Sequence, residues 1–192
     1  MGTVGRLQVQ REPLKQGLAA QRAYDPAHLV EVSSVRVDRS GAIGVHPQRP
    51  NVVDVHNTRH PQTRDSDGDR GVSLMSDADY RWLRDRYGEH LTDGIAGETI
   101  TLFNGPALRG RDLGRGVLIA TDGGMVTLTD VRVAAPCVEF VRYVLRRRPG
   151  TPVDETVRAT LQELDHGARG YVAVAATDAT ISIGDHVFLA TE

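Results

Sequence analysis

The sequence predicts a mostly β domain, barrel-like or α+β, and three observations carry that expectation. Short β-branched runs recur from residue 29 to the C-terminus. Gly, Asp and Asn punctuate them as turn residues do. Only two or three segments carry a helical period, and no alternating strand–helix–strand order suggests a doubly wound sheet.

Taken in order, residues 1–27 are polar and broken by Pro13 and Pro26, and are expected to form an arm or irregular lead-in to a single domain over 28–192. Val30, Val32, Val35 and Val37 form a run that ends at the turn cluster Asp38-Arg39-Ser40-Gly41, so Ala42 to Val45 is expected to return as a hairpin. Val52, Val53 and Val55 suggest another strand. Ser76-Asp77-Ala78-Asp79 reads as a capping box, with Tyr80, Leu83 and Tyr87 on one helical face and Gly88 near the end. Strands follow at Thr99 to Phe103, Val117 to Ala120, Met125 to Val133, Tyr171 to Ala175 and Thr180 to Leu189. Two helices interrupt them. One places Val138, Val141, Val144 and Leu145 together and ends in Arg146-Arg147-Arg148, where cations suit a helix C-terminus. The other is expected to have Thr151 as N-cap, Pro152 first in the helix, a stripe of Val157, Leu161 and Leu164, and Gly167 as terminator.

The 192 residues include 23 basic and 25 acidic side chains and one cysteine, for a net charge of −2. One cysteine excludes an internal disulfide, a four-thiolate zinc site and a cysteine-held iron–sulfur cluster, which points to a reducing compartment. With no apolar run long enough to span a bilayer and no secretory signal pattern at the N-terminus, the expected location is cytoplasmic, with no membrane association. The balanced charge gives no global attraction for nucleic acid. Lys15 is the only lysine, so Schiff-base chemistry would rest on it alone. Neither a Gly-x-Gly-x-x-Gly nor a Walker segment occurs.

Between His56 and Gly71 lies a stretch dense in His, Arg, Asp and Asn, and a loop of that length in a packed domain points to function. Asp65-Ser66-Asp67-Gly68-Asp69 alternates acids as an EF-hand loop does, but Arg70 and Ser76 occupy the places of its turn glycine and bidentate Glu. His56 and His60 have the four-residue spacing of helical zinc ligands, yet Pro61 argues against a helix there. They remain candidates for acid–base catalysis, as do Asp65 and Asp67. Cys137 follows Pro136 at a strand–helix junction, where a helix N-terminus favours a thiolate.

Several segments in order resemble the MOSC domain, the domain found at the C-terminus of molybdenum cofactor sulfurase. Gly94-Ile95-Ala96-Gly97-Glu98-Thr99-Ile100-Thr101 resembles its Gly-x-x-Gly-Glu-Asn-hydrophobic-Thr segment. Leu128-Thr129-Asp130-Val131-Arg132 with Ala135-Pro136-Cys137 resembles its Thr-x-x-Arg-x-Pro-Cys signature. Asp69-Arg70-Gly71-Val72-Ser73-Leu74, Gly170 to Val174 and Ile181 to Val187 are similar to flanking segments, so the match runs from about His46 to Leu189. The chain departs from the pattern in two places. Val133-Ala134-Ala135 stands where one residue is usual, and Thr99 replaces Asn.

The resemblance implies a MOSC-like β-barrel with two or three short helices and an association with molybdenum cofactor (molybdopterin) or sulfur transfer. It makes Cys137 the metal ligand or sulfur carrier, Arg132 a cofactor-side cation, and Glu98 and Thr99 nearby supports. Arg70 and Arg64 of the polar loop join the cofactor-binding set. The leading functional expectation is a molybdenum-cofactor oxidoreductase of N-hydroxylated small molecules, with an electron-transfer partner protein. Two alternatives stand beside it: metal-free chemistry on a MOSC scaffold in a specialised biosynthetic pathway, using the His56–Arg70 loop, and a sulfur-carrier module with a Cys137 persulfide. A homodimer through strand edges is a further expectation.

Overall fold

The computed structural model describes residues 1–114 and 116–190. Four strands come first: β1 (Gly2–Gln10), β2 (Lys15–Gln16), β3 (Ala23–Tyr24) and β4 (Leu29–Glu31). A hairpin of β5 (Ser34–Asp38) and β6 (Gly41–His46) leads to β7 (Arg49–Val53). After the polar loop come β8 (Val72–Ser76), helix α1 (Asp77–Tyr87) and β9 (Ile100–Phe103). β10 (Val117–Thr121) and β11 (Gly124–Val133) make a second hairpin, followed by helices α2 (Val138–Val144) and α3 (Glu155–Leu164). β12 (Tyr171–Ala175), β13 (Ala179–Ser182) and β14 (His186–Leu189) end the described chain.

Seven strands in the order β14-β10-β11-β12-β8-β9-β1 close into a barrel when β14 pairs with the start of β1, Gly2 opposite Val187. Closure removes the edges that an open sheet would expose. All these pairs are antiparallel except β8 with β9, whose connection runs through α1, as a parallel crossover requires. A second sheet, β13-β5-β6-β7, lies against the barrel. Val35, Val37, Ala42 and Ile181 from that sheet share one core with Val4, Leu7, Ile119 and Leu128 of the barrel.

The N-terminal segment is the main correction to the sequence reading. Residues 2–10 are a barrel strand, and the irregular part is confined to the short β2–β3 hairpin and its flanks. The alternating signal was diluted because Gln8 and Gln10 are buried, at 1% and 6% exposure, and a polar residue at a buried strand position reads as surface. Their amides are satisfied locally: Gln8 Nε2 donates to the carbonyls of Gly94 and Glu98, and Gln10 Nε2 to that of Gly97 at 2.6 Å. Burial without those partners would be costly.

The helices form where the caps predict, with two changes. Ser76 caps α1, its Oγ accepting the Asp79 amide hydrogen, and Gly88 ends the helix. Asp79 does not reach back to the Ser76 amide. It is fully buried and accepts from Ser76 Oγ and from the backbone amides of Leu108 and Arg109, fastening the loop after β9 to the helix. α3 begins later than expected, with Asp154 rather than Thr151 as N-cap: Asp154 Oδ1 accepts from Val157 N, while Thr151 Oγ1 donates to the Arg148 carbonyl. Tyr80, Leu83, Phe140, Val141, Val144, Val157 and Leu164 bury a second core between the helices and the barrel.

One close approach sets the polar loop in place. A Cβ on Gly71 would lie 2.5 Å from Gly41 Cα, so the turn of the β5–β6 hairpin and the entry to β8 pack backbone to backbone. Ala42 N donates to the Gly71 carbonyl at 3.0 Å across that contact. At its other end Asp54 N donates to the Ala42 carbonyl and Val55 N to that of Gln10 in β1, so the loop from Asp54 to Arg70 is tied at both ends.

Candidate functional site

Cys137 is delivered to the site by the end of β11 and the start of α2. Ala134 N donates to the Gly170 carbonyl, holding the connection against the entry to β12. Pro136 lacks an amide and keeps the preceding Ala135 out of the helical region, so the helix does not start before Cys137. Cys137 then takes φ −106° and ψ 159° as N-cap of α2, and its Sγ accepts from Phe140 N at 3.4 Å. The thiol is free and half-buried.

The sulfur borders a cavity of about 510 Å3, within the usual size of small-molecule and cofactor pockets. Arg132, Arg70, Arg169 and Lys15 bring positive charge to it, and Asp67 and Asp69 line it as well. Arg132 crosses from β11 to the polar loop, pairing with Asp69 Oδ2 at 2.6 Å and donating to the Asp69 carbonyl at 2.9 Å. That guanidinium holds the Asp69 carboxyl below the usual carboxylate range. Arg70 pairs with Asp69 at 3.3 Å and donates to the Arg64 carbonyl at 2.7 Å. Asp65, fully buried, shapes the loop beneath by accepting from the amides of Asp69 and Arg70. Arg169 lies over the Phe140 ring at 5.2 Å.

A second chamber of about 240 Å3 shares Gln10, Lys15, His56, Arg70, Cys137 and Arg169 with the first and extends toward Arg22 and Arg64. His56 is oriented by Asp54, which is 3% exposed. One Asp54 oxygen accepts from His56 N at 2.7 Å and bonds His56 Nδ1 at 3.1 Å, and the other accepts from Gln10 N at 2.7 Å. The network assigns the Nδ1 proton toward Asp54 and leaves Nε2 with no protein partner among the described residues.

The fold thus gathers Cys137, His56, Arg70, Arg132 and Arg64 around one cleft. The inserted Val133-Ala134-Ala135 does not separate Arg132 from Cys137, because both still line the same cavity. A register shift between Thr129 and Arg132, with Asp130 at φ +53°, takes up the irregularity in β11. His60 belongs elsewhere: it holds the loop by bonding the Arg11 carbonyl and the Gln62 amide, and does not border either chamber. Glu98 and Thr99 are also away from the cavity surface. Glu98 is buried and accepts from Tyr80 and Thr101, and Thr99 is clasped to Ser73, so both act beneath the site. Lys15, Arg22, Arg169 and Gln10 were missed. Lys15, Arg22 and Gln10 lie in the segment read as a lead-in, and nothing local in the sequence marks Arg169.

No protein-family model matches the sequence, and no curated protein matches it. Solved structures do match in fold. The YUAD protein from Bacillus subtilis superposes with a TM-score of 0.58 at 12% identity, covering 96% of this chain and 93% of that one. YiiM from Geobacillus stearothermophilus gives 0.55 at 16% identity over 98% and 75% of the two chains. YiiM from Escherichia coli gives 0.51 at 11% over 85% and 65%. The fold is MOSC-like, a seven-stranded barrel with three helices. No helix among the described residues is long and apolar enough to cross a membrane.

The donor set can be tested against a molybdenum cofactor. Among the described residues no three His, Cys, Asp or Glu side chains converge on a point where they could hold a bare ion. One soft thiol on a cavity edged by three arginines fits instead a metal that arrives with most of its own ligands on an anionic organic group. The residues present fit that description.

Proposed function

We propose that the cleft holds a molybdenum cofactor through Cys137 and reduces the N–O bond of small N-hydroxylated compounds. The observation that carries this reading is the placement of a half-buried thiol and Arg132, Arg70 and Arg169 on one cavity of about 510 Å3. The MOSC-like fold supports it.

The overall conversion takes a hydroxylamine, two electrons and two protons to an amine and water. When bound, the cofactor supplies the two-electron chemistry, and a partner protein or small reductant refills it. The chain's own residues bind, orient and move protons. Cys137 Sγ is the metal ligand, and α2 fixes its direction. Arg132 and Arg70 meet the anionic part of the cofactor through planar, forked donors, while Asp69 keeps both guanidinium groups in place. His56 carries a proton at Nε2, oriented by Asp54 at Nδ1, and delivers it to the departing oxygen. The test is metal and pterin content of protein purified from its native host, beside Cys137→Ser. Near-stoichiometric molybdenum that disappears with the thiol, and hydroxylamine reduction that disappears with it, are expected.

The Asp54–His56 pair favours a second reading, acid–base catalysis without a metal on the same scaffold. Full activity in Cys137→Ser, with no molybdenum in the wild type, would select it.

A further inference from the structure

We propose that the substrate carries a phosphate group, received by Lys15, Arg22 and Arg64 in an outer chamber next to the Cys137 cleft. This rests on the reading of the cleft as the reaction site. A third cavity, of about 520 Å3, is formed between the β2–β3 hairpin and the 61–64 turn. It does not reach Cys137, but it shares Pro13, Lys15, Arg22 and Arg64 with the second chamber, which does. The three compartments therefore run in series from exposed residues such as Gln62 and Gly17 inward to the thiol.

Charge distinguishes the outer compartment. Lys15, Arg22 and Arg64 all border it, Lys15 reaching the Cys137 cavity as well, and among the described residues none of their side chains makes an ion pair or hydrogen bond. By contrast, Arg132 and Arg70 of the inner cavity are paired with Asp69. Glu12, the one acid on the outer wall, is directed to His28 at 3.5 Å and Arg11 at 3.9 Å. Three unpaired cations around one space repel each other, and a ligand that joins them relieves that repulsion. A carboxylate offers two oxygens and one charge. A phosphate monoester offers three acceptor oxygens and close to two charges, which matches two forked guanidinium groups and an ammonium. Arg132, which lines only the inner cavity, and Arg70 remain for the cofactor.

Inorganic phosphate is the probe, titrated by calorimetry at constant ionic strength into wild type, the triple variant Lys15→Ala/Arg22→Ala/Arg64→Ala, the single variant Arg22→Gln, and Arg132→Ala. Circular dichroism confirms folding, and molybdenum and pterin are measured in the same preparations from the native host. Saturable phosphate binding is expected in wild type and Arg132→Ala, weaker by at least about tenfold in the triple variant and partly weakened in Arg22→Gln. Acetate should not displace phosphate, and the triple variant should keep wild-type molybdenum and pterin. Absence of saturable binding in wild type, or equal binding in the folded triple variant, would overturn the proposal. If acetate competes fully, the receptor is for carboxylates and the proposal fails. Loss of molybdenum and pterin from the triple variant would also overturn it, by assigning these cations to the cofactor. Should wild type contain no molybdenum while phosphate binding still depends on the three cations, the reductase reading fails and the phosphate receptor stands.

Discussion

Cys137 Sγ accepts the amide hydrogen of Phe140 at 3.4 Å, so the sulfur that faces the cleft is also the cap of α2. The two roles respond differently to substitution. Serine is among the best N-caps, whereas alanine has no acceptor. Cys137→Ser is expected to melt at or above the wild-type temperature, and Cys137→Ala to lose up to about 1 kcal/mol, with both losing bound molybdenum. Thermal unfolding beside metal analysis checks this. A Cys137→Ser protein that unfolds far below Cys137→Ala would contradict the cap.

His56→Gln removes the proton-carrying nitrogen while leaving Asp54 able to accept from Gln10 N and residue 56 N. The expectation is a fall in kcat of about 100-fold or more with little change in stability. Asp54→Ala is expected to do something else as well. It leaves the Gln10 amide in a buried site without its partner and should cost about 1–3 kcal/mol. Steady-state kinetics with denaturant unfolding separates the two effects.

Glu98 gives a pH prediction. Burial pushes its carboxyl above the usual glutamate range, against the opposing hydrogen bonds from Thr101 and Tyr80. The folded chain therefore holds this proton to higher pH than the unfolded chain does. The Glu98 contribution is fully present below the unfolded value and is lost as pH rises through the raised folded value. Glu98→Gln does not ionise, so its melting temperature minus that of wild type should increase from about pH 4 to about pH 9. A constant difference across that range would mean that the carboxylate is not desolvated.

Asp79 joins α1 to the loop after β9 by accepting from Ser76 Oγ, Leu108 N and Arg109 N. Asp79→Ala strands those donors in a fully buried place, and a loss of about 2–4 kcal/mol is expected from chemical unfolding, larger than for any single cleft arginine. Arg132→Ala, whose ion pair with Asp69 is about half exposed, should change stability by under about 1 kcal/mol.

Much of this fold was legible because its signals are local. The β5–β6 and β10–β11 hairpins show their turns and alternation directly in the residues, and Ser76 and Gly88 mark both ends of α1. Cys137 was found because Pro136-Cys137 stands at a strand–helix boundary in a segment resembling a known signature. β1 was hidden, since its partners β9, β14 and β4 begin about 20 or more residues away and its buried glutamines need the 94–98 loop to satisfy them. Thr151 and Asp154 are both good cap types, so residue type does not choose between them; in the structure Asp154 caps α3 and also pairs with Arg147.

Residue order by itself determined the mostly β class of the domain, its helices and the candidacy of Cys137, His56, Arg132 and the polar loop. Tertiary structure alone decided which candidates meet. It sent His60 to the Arg11 carbonyl, put Glu98 and Thr99 under the site, and brought Lys15, Arg22 and Arg169 to it from distant segments. The physical reason is that alternation and capping act over a few residues, whereas a cleft is made by strand closure and backbone contacts such as Gly41 with Gly71, which join segments whose sequences carry no mark of one another.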